Sequence, residues 1–382
     1  MPALFVGSFP PRECGIATFT KDIVDGYDAH TGSRSDVVTI DDGSGGYVYG
    51  SQVIARIDEV ERNSYYAAAA LVNRHPCSVV NIQHEYGLFG GENGAWCLDF
   101  MGALRKPVVL TMHTVLPEPS AVLEATTRQL CASAARIVVL ARTGRRLLIE
   151  RYGVEPEKIA VIHHGVPDVS YQDTAPAKAA LGLSGRAVIS TFGLISKDKG
   201  LEYAVAATHE IAQSHPDVLY LILGATHPMV KRAEGEQYRN SLREHITSLG
   251  LQRNVRMIDR YLSLPELIAY LQATDVYLTP YLNPVQIVSG TLAYALGAGK
   301  AIVSTPYLYA KELLADGRGL LAEFRDSRSL ASALKRFLGD PLFRARTQER
   351  AYAFGRQMTW NAVCAGYAEL FATYAKTLVG SA

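Results

Sequence analysis

Short, β-branched apolar runs alternate with longer amphipathic segments along nearly the whole chain, and this alternation restricts the fold more than any other feature. The first half carries ALFVGSF, DVVTI, VIARI, SVVNIQH, KPVVLTMH, RIVVLA and KIAVIHHG. A strand with one face in water would alternate apolar and polar residues. A run that is apolar on both faces belongs to a parallel sheet covered by helices on each side. The intervening stretches GIATFTKDIVDGY, SYYAAAALVNRH, SAVLEATTRQLCASAA and RTGRRLLIERYG have the helical pattern and the length that parallel crossovers need. This half therefore reads as a doubly wound α/β domain.

Near residue 166 the pattern stops. VPDVSYQDTAPAKAALGLSG is polar, contains two prolines and reads as a linker. A second series follows, from AVISTFG and VLYLILG through VRMID and DVYLTPY to AIVST, again with helices between the strands. A chain of 382 residues exceeds what one ordinary core accommodates. The expectation is two Rossmann-like domains facing a central cleft, residues 1–166 and 167–359. The amphipathic terminal segment, roughly 360–382, crosses back onto the first. DDGSGGYVYG at 41–50 reads as a flexible glycine loop.

Composition narrows the function. The net charge of +1 supplies no global field for nucleic acid or a membrane. No apolar run reaches the roughly 18 residues that span a bilayer. The five scattered cysteines form no C-x-x-C pair, so neither a zinc knuckle nor a disulfide framework is indicated, and a cytoplasmic setting is expected. Arg142, Arg145 and Arg146 in RTGRRLLIERYG would give a weak peripheral membrane contact at most, since charge runs are usually solvated faces.

Ligands of doubly wound sheets bind beyond the carboxyl ends of the strands. In GSFPPRECGIATF, glycines and prolines allow close backbone approach, and Gly15 opens a helix whose N–H groups suit an anion. Arg12 in this loop is a candidate for the acceptor side of the cleft. His84, followed by Glu85 in HEYGLFGG, His113 in TMHT and His164 in HHGVP all fall at strand ends and should point into the cleft. A metal is not expected, because metal-type spacing and a carboxylate pair are both missing. In the second half, STFGLISKDKGLEY places Lys199 where an ammonium and a helix start could clamp a diphosphate. Lys197 reads as solvated. Gly224 in LILGATHP offers bare backbone to a nucleobase. Ser289, Gly290 and Thr291 open a further helix and make a second anion seat, or simply an N-cap with a packed glycine.

Taken together these segments resemble the family-4 retaining glycosyltransferases of GT-B fold. GSFPPRECGIATF is similar to the family's first loop, TMHT to its strand-end histidine, and HHGVP to its N-G-V-D segment. FGLISKDKG, in which the match begins at Gly193, resembles the G-R-x-x-x-x-K-G clamp, and YALGAGKAIVST the E-A-M-A-x-G-x-P-V-V run. Two departures stand out: Leu194 replaces the clamp arginine, and Gln286 and Tyr294 replace the Glu-x7-Glu pair that touches donor sugar and ribose. The resemblance implies a hexose moved from a nucleotide sugar, of GDP-mannose or UDP-glucose type, to a saccharide hydroxyl, with no resident cofactor or metal. Lys199 and the N–H groups around Ser289–Thr291 would stabilise the leaving phosphate. His113 and Gln286 would contact the donor sugar, and His84 and Glu85 the acceptor or the cleft mouth. Two other readings share the architecture: a phosphorylase that uses inorganic phosphate, and an inactive carbohydrate- or nucleotide-binding protein.

Overall fold

The computed structural model describes residues 2–43 and 46–379. Ser44 and Gly45 of the expected glycine loop, and residues 380–382 of the expected crossing segment, lie outside the described residues. The chain divides into two compact units, residues 1–165 with 359–382, and residues 166–358.

The first unit holds seven strands, β1 (Ala3–Gly7), β2 (Asp36–Asp41), β3 (Val53–Asp58), β4 (Val79–His84), β5 (Val108–Met112), β6 (Arg136–Val139) and β7 (Ile159–Val161). They form one sheet in the order β3-β2-β1-β4-β5-β6-β7 with every pairing parallel. The central strands β1, β4 and β5 are buried along their whole length, which is why their runs lack a polar face, whereas the edge strand β3 is mostly part-exposed. Gly7 ends β1 because no side chain fits there: a Cβ would stand 2.9 Å from Thr20 Oγ1 and 3.0 Å from Gln83 Cβ. The terminal helix Trp360–Val379 belongs to this unit and packs on the Gly15–Thr31 helix. Their approach is close, since a Cβ on Gly26 would meet Cys364 Sγ at 2.7 Å. Phe371 packs against both Phe5 and Tyr27, at ring distances of 6.2 and 5.4 Å.

The second unit holds β8 (Ala187–Phe192), β9 (Val218–Leu223), β10 (Val255–Ile258), β11 (Val276–Thr279), β12 (Ala301–Ser304) and β13 (Leu320–Leu321). Their order is β10-β9-β8-β11-β12-β13, again all parallel. Both sheets are thus doubly wound α/β sheets. The stretch that reads as a linker, 166–185, is packed into this unit. The Val166 N–H donates to Met358 O at 2.8 Å, and Lys178 Nζ pairs with the buried Asp275 at 2.6 Å. A buried carboxylate needs that partner. Among the described residues no helix is long and apolar enough to cross a membrane.

Candidate functional site

The candidate residues fall into two groups, one in each unit. In the first unit the loop after β1 leads into the Gly15–Thr31 helix. Its N-cap is Cys14, whose Sγ accepts from Ala17 N at 3.3 Å and lies 3.1 Å from Ser8 Oγ. A thiol is outside the usual capping set, so the sequence hid it. Gly15 is under no steric demand, since a Cβ there would meet nothing within 4 Å. Arg12, expected on the acceptor side, donates to Ile40 O and reaches Glu59 Oε2 at 3.4 Å, so its charge is partly spent within the unit.

His113 and His164 come together, with Phe19 as the wedge: its ring lies 4.7 Å from His113 and 5.0 Å from His164, edge-on to both. Trp360 of the terminal helix closes on the same Phe19 at 5.2 Å. Burial lowers the pKa of His164 to about 4, and burial together with His164 and His84 lowers that of His113 to about 3. Both imidazoles are therefore neutral near pH 7.

His84 departs from expectation. It was expected to meet the acceptor or line the cleft mouth, yet it is 0% exposed, whereas His113 keeps 6%. Its ring stacks on Phe89 at 5.5 Å and meets Tyr86 edge-on at 5.0 Å. The cause is the two-residue period of a strand. Asn81 and Gln83 point to the face of the sheet that carries Thr111 and His113; His84 points to the other. The polar spacings N-x-Q in β4 and T-x-H across β5 and the residue after it were the signal for this. Glu85 likewise turns inward. Its carboxylate accepts from Tyr86 N at 3.0 Å and from the Thr114 hydroxyl at 2.6 Å, while burial pushes its pKa upward.

In the second unit, Lys199 ends a short turn, and Gly200 (φ 60°) opens the Leu201–Ala212 helix. Only glycine serves here, because a Cβ would stand 2.3 Å from Pro280 O. That approach, reinforced by Leu282 N donating to Asp198 O at 2.8 Å, lays the Lys199 ammonium over the Tyr281 ring, 4.1 Å from its centroid. The lysine side chain is 23% exposed, its ammonium 3.6 Å from Asp198, while Lys197 is 64% exposed and paired with Glu234. Tyr281 was missed by sequence reasoning. It is buried, stacks on Tyr307 at 5.7 Å, and its hydroxyl lies 2.8 Å from Thr291 Oγ1.

Thr291 sits in the first turn of the Gly290–Gly297 helix, which Ser289 caps by accepting from Leu292 N at 3.3 Å. Ser289 Oγ and Thr291 Oγ1 are 3.1 Å apart. A Cβ on Gly193 would come within 3.2 Å of Thr291 Cγ2, so the ends of β8 and β11 and this helix start converge. Gly224 stands beside them. Its missing side chain makes room for Gly193 O, which a Cβ would approach to 2.1 Å, so its glycine is explained within the chain itself. Gln286 turns its amide back, donating to Val288 O at 2.9 Å. Tyr294 is buried, 6.3 Å from Phe192 ring to ring, so it sits in the interior. Thr191, Phe192, Gly193, Leu194, Ile195, Lys199 and Tyr281 line one cavity, so Leu194 presents an apolar wall at the position where the family pattern has an arginine.

Arg142, Arg145 and Arg146 line a separate groove with Ile149, Glu150 and Val161. Among the described residues no group of three or more His, Cys, Asp or Glu side chains could hold a metal ion.

Residues 174–354 match the family model for glycosyl transferases group 1, and residues 41–169 match that for glycosyltransferase family 4. D-inositol 3-phosphate glycosyltransferase of Kineococcus radiotolerans is 28% identical over 332 residues, 78% of this chain and 72% of that protein. The enzyme of the same name from Corynebacterium aurimucosum is 27% identical over 64% of this chain, which spans only 58% of its length. Among solved structures, Anabaena HepE in complex with UDP superposes with a TM-score of 0.77 at 19% identity, covering 98% of this chain and all of that one. Sucrose-phosphate synthase from Thermosynechococcus elongatus gives 0.77 at 15% identity with both chains fully covered. These two likenesses speak to the fold.

Proposed function

We propose a reaction on the premise that this chain belongs to the family-4 glycosyltransferases of GT-B type: it moves a hexose from a nucleotide sugar to a hydroxyl of a saccharide or polyol, with retention at the anomeric carbon. The nucleotide sugar, of GDP-mannose or UDP-glucose type, enters as substrate, and no resident cofactor or metal takes part. The observation that carries this reading is the placement of Lys199. Its ammonium lies over the Tyr281 ring, and the hydroxyl of that tyrosine meets Thr291 at a helix start. One cation and a set of backbone N–H groups thereby share a small region of the second unit, an arrangement suited to a pyrophosphate.

Chemically, the bond between the anomeric carbon and the donor phosphate breaks through an oxocarbenium-like transition state. Negative charge then grows on the leaving phosphate oxygen, and Lys199 with the N–H groups after Ser289 stabilise it where it develops. The same phosphate oxygen accepts the acceptor's proton as its hydroxyl attacks the vacated face. His113 contacts a hydroxyl of the sugar. HepE was solved with UDP-glucose, and the curated relatives are named for inositol 3-phosphate, so a uridine donor and a polyol acceptor head the substrates to try.

The test is turnover with a panel of nucleotide sugars and acceptors, read as release of nucleoside diphosphate, with the anomeric configuration of the product assigned by NMR. Competitive inhibition by the matching nucleoside diphosphate and retention are expected. Turnover that needs inorganic phosphate and ignores nucleotides would replace this reading with the phosphorylase; inversion would remove the mechanism.

A further inference from the structure

A line of buried polar side chains crosses the first sheet just behind His113, and its polarity can be read from one end to the other. It starts at a backbone carbonyl. Asn81 Nδ2 lies 3.0 Å from Val109 O and 3.0 Å from Thr111 Oγ1. A carbonyl only accepts, so this end of the Asn81 amide is the NH2 group. Its oxygen then faces Gln83, whose Nε2 donates to it at 2.5 Å. With its nitrogen so engaged, Gln83 turns its own amide oxygen to His113 Nε2 at 2.9 Å. An amide oxygen only accepts as well, so His113 Nε2 carries a proton. Thr111 is bound in turn to the Tyr367 hydroxyl at 3.0 Å, which ties the line to the terminal helix. Asn81, Gln83, Thr111 and Tyr367 are all fully buried, so no competing water contact blurs the assignment.

We infer that Gln83 is a positioning residue: it holds His113 in the Nε2–H tautomer, and so leaves Nδ1 as a hydrogen-bond acceptor for a substrate hydroxyl. Burial, with His164 and His84 as the neighbouring titratable groups, keeps the ring neutral, so it has a single N–H to place. The Phe19 ring, edge-on at 4.7 Å, and the His113 backbone N–H, bound to His84 O at 3.0 Å, hold the ring and its stem. An imidazole whose only donor is spent inside the protein can accept from a sugar O–H but cannot donate to a sugar oxygen. The tautomer follows from the hydrogen bonds alone; the substrate half rests on the proposed function. Gly7 completes the device, because a side chain there would collide with Gln83 Cβ at 3.0 Å.

The experiment is long-range proton–nitrogen NMR of the 15N-labelled full chain at pH 7.5, with the His113 signals assigned by their loss in His113→Phe. The expected result is a neutral ring protonated on Nε2. Gln83→Leu should give mixed tautomers and lower kcat/KM about 10-fold, the worth of one hydrogen bond at a reacting sugar. A wild-type ring protonated on Nδ1, or a Gln83→Leu ring unchanged from wild type, overturns the inference. The wild-type spectrum decides the tautomer even if Gln83→Leu does not fold. A tautomer shift without any change in kcat/KM overturns the substrate half alone. Absence of wild-type turnover with every nucleotide sugar would instead count against the proposed function, and the NMR result would still be read.

Discussion

Lowering the pH should destabilise the first unit, and His84 should account for a measurable share of the effect. Among the described residues neither ring nitrogen of His84 has a hydrogen-bond partner, and burial lowers its pKa from 6.5 to about 4. In the unfolded chain the ring takes up a proton as the pH falls through about 6.5; in the folded chain it does not until about 4. Stability contributed by the neutral buried ring is thus complete above pH 6.5 and is lost progressively between 6.5 and 4. At pH 5.0 the unfolded state gains about 2 kcal/mol from protonating this one ring, at about 1.4 kcal/mol per pH unit over 1.5 units. His84→Phe removes the titrating group while keeping an aromatic ring against Phe89 and Tyr86. Both tryptophans, Trp96 and Trp360, lie in the first unit, so their fluorescence in urea reports on that unit. Between pH 7.5 and 5.0 the wild type should lose about 2 kcal/mol more stability than His84→Phe. Losses equal to within about 0.5 kcal/mol would refute the argument, because the ring would then titrate alike in both states.

Three further outcomes follow from the second unit. Lys199→Ala should lower kcat by about 100- to 1000-fold, as loss of one donor aimed at developing charge does, with thermal stability little changed; near-normal turnover would exclude its role at the phosphate. Tyr281→Phe keeps the aromatic ring under Lys199 and drops only the bond to Thr291, so it should cost about 1 kcal/mol of stability by urea unfolding, whereas Tyr281→Leu should also weaken nucleoside diphosphate binding by calorimetry. Gly200→Ala should destabilise the second unit by about 2 kcal/mol or more in circular-dichroism melts, since it adds a left-handed alanine and a Cβ that meets Pro280 O; an unshifted melt would contradict the close approach.

The strands, their parallel pairing and the two-sheet organisation follow from local pattern, because a run apolar on both faces has one common solution: a strand covered twice. The positions of Lys199 and Ser289–Thr291 at element starts were legible for the same reason, since glycines and hydroxyl caps mark those starts in sequence. Polar, proline-bearing composition reads as a linker after residue 165 but does not reveal that Lys178 finds Asp275, 97 positions further on. His84 and Glu85 looked like cleft residues by position at a strand end, yet which face a side chain takes depends on strand register, and one residue reverses it.

What the sequence determined by itself was therefore the order of the strands along the chain and the places where backbone N–H groups come free. What only the tertiary structure decided was which side chains face one another across those places: Tyr281 beneath Lys199, Gln83 behind His113, Phe19 between two histidines. The reason is physical. A period of two or of 3.6 residues is a property of adjacent positions, whereas a ring under an ammonium or an amide behind an imidazole joins residues 30 to 82 positions apart, and their meeting is settled by packing rather than by propensity.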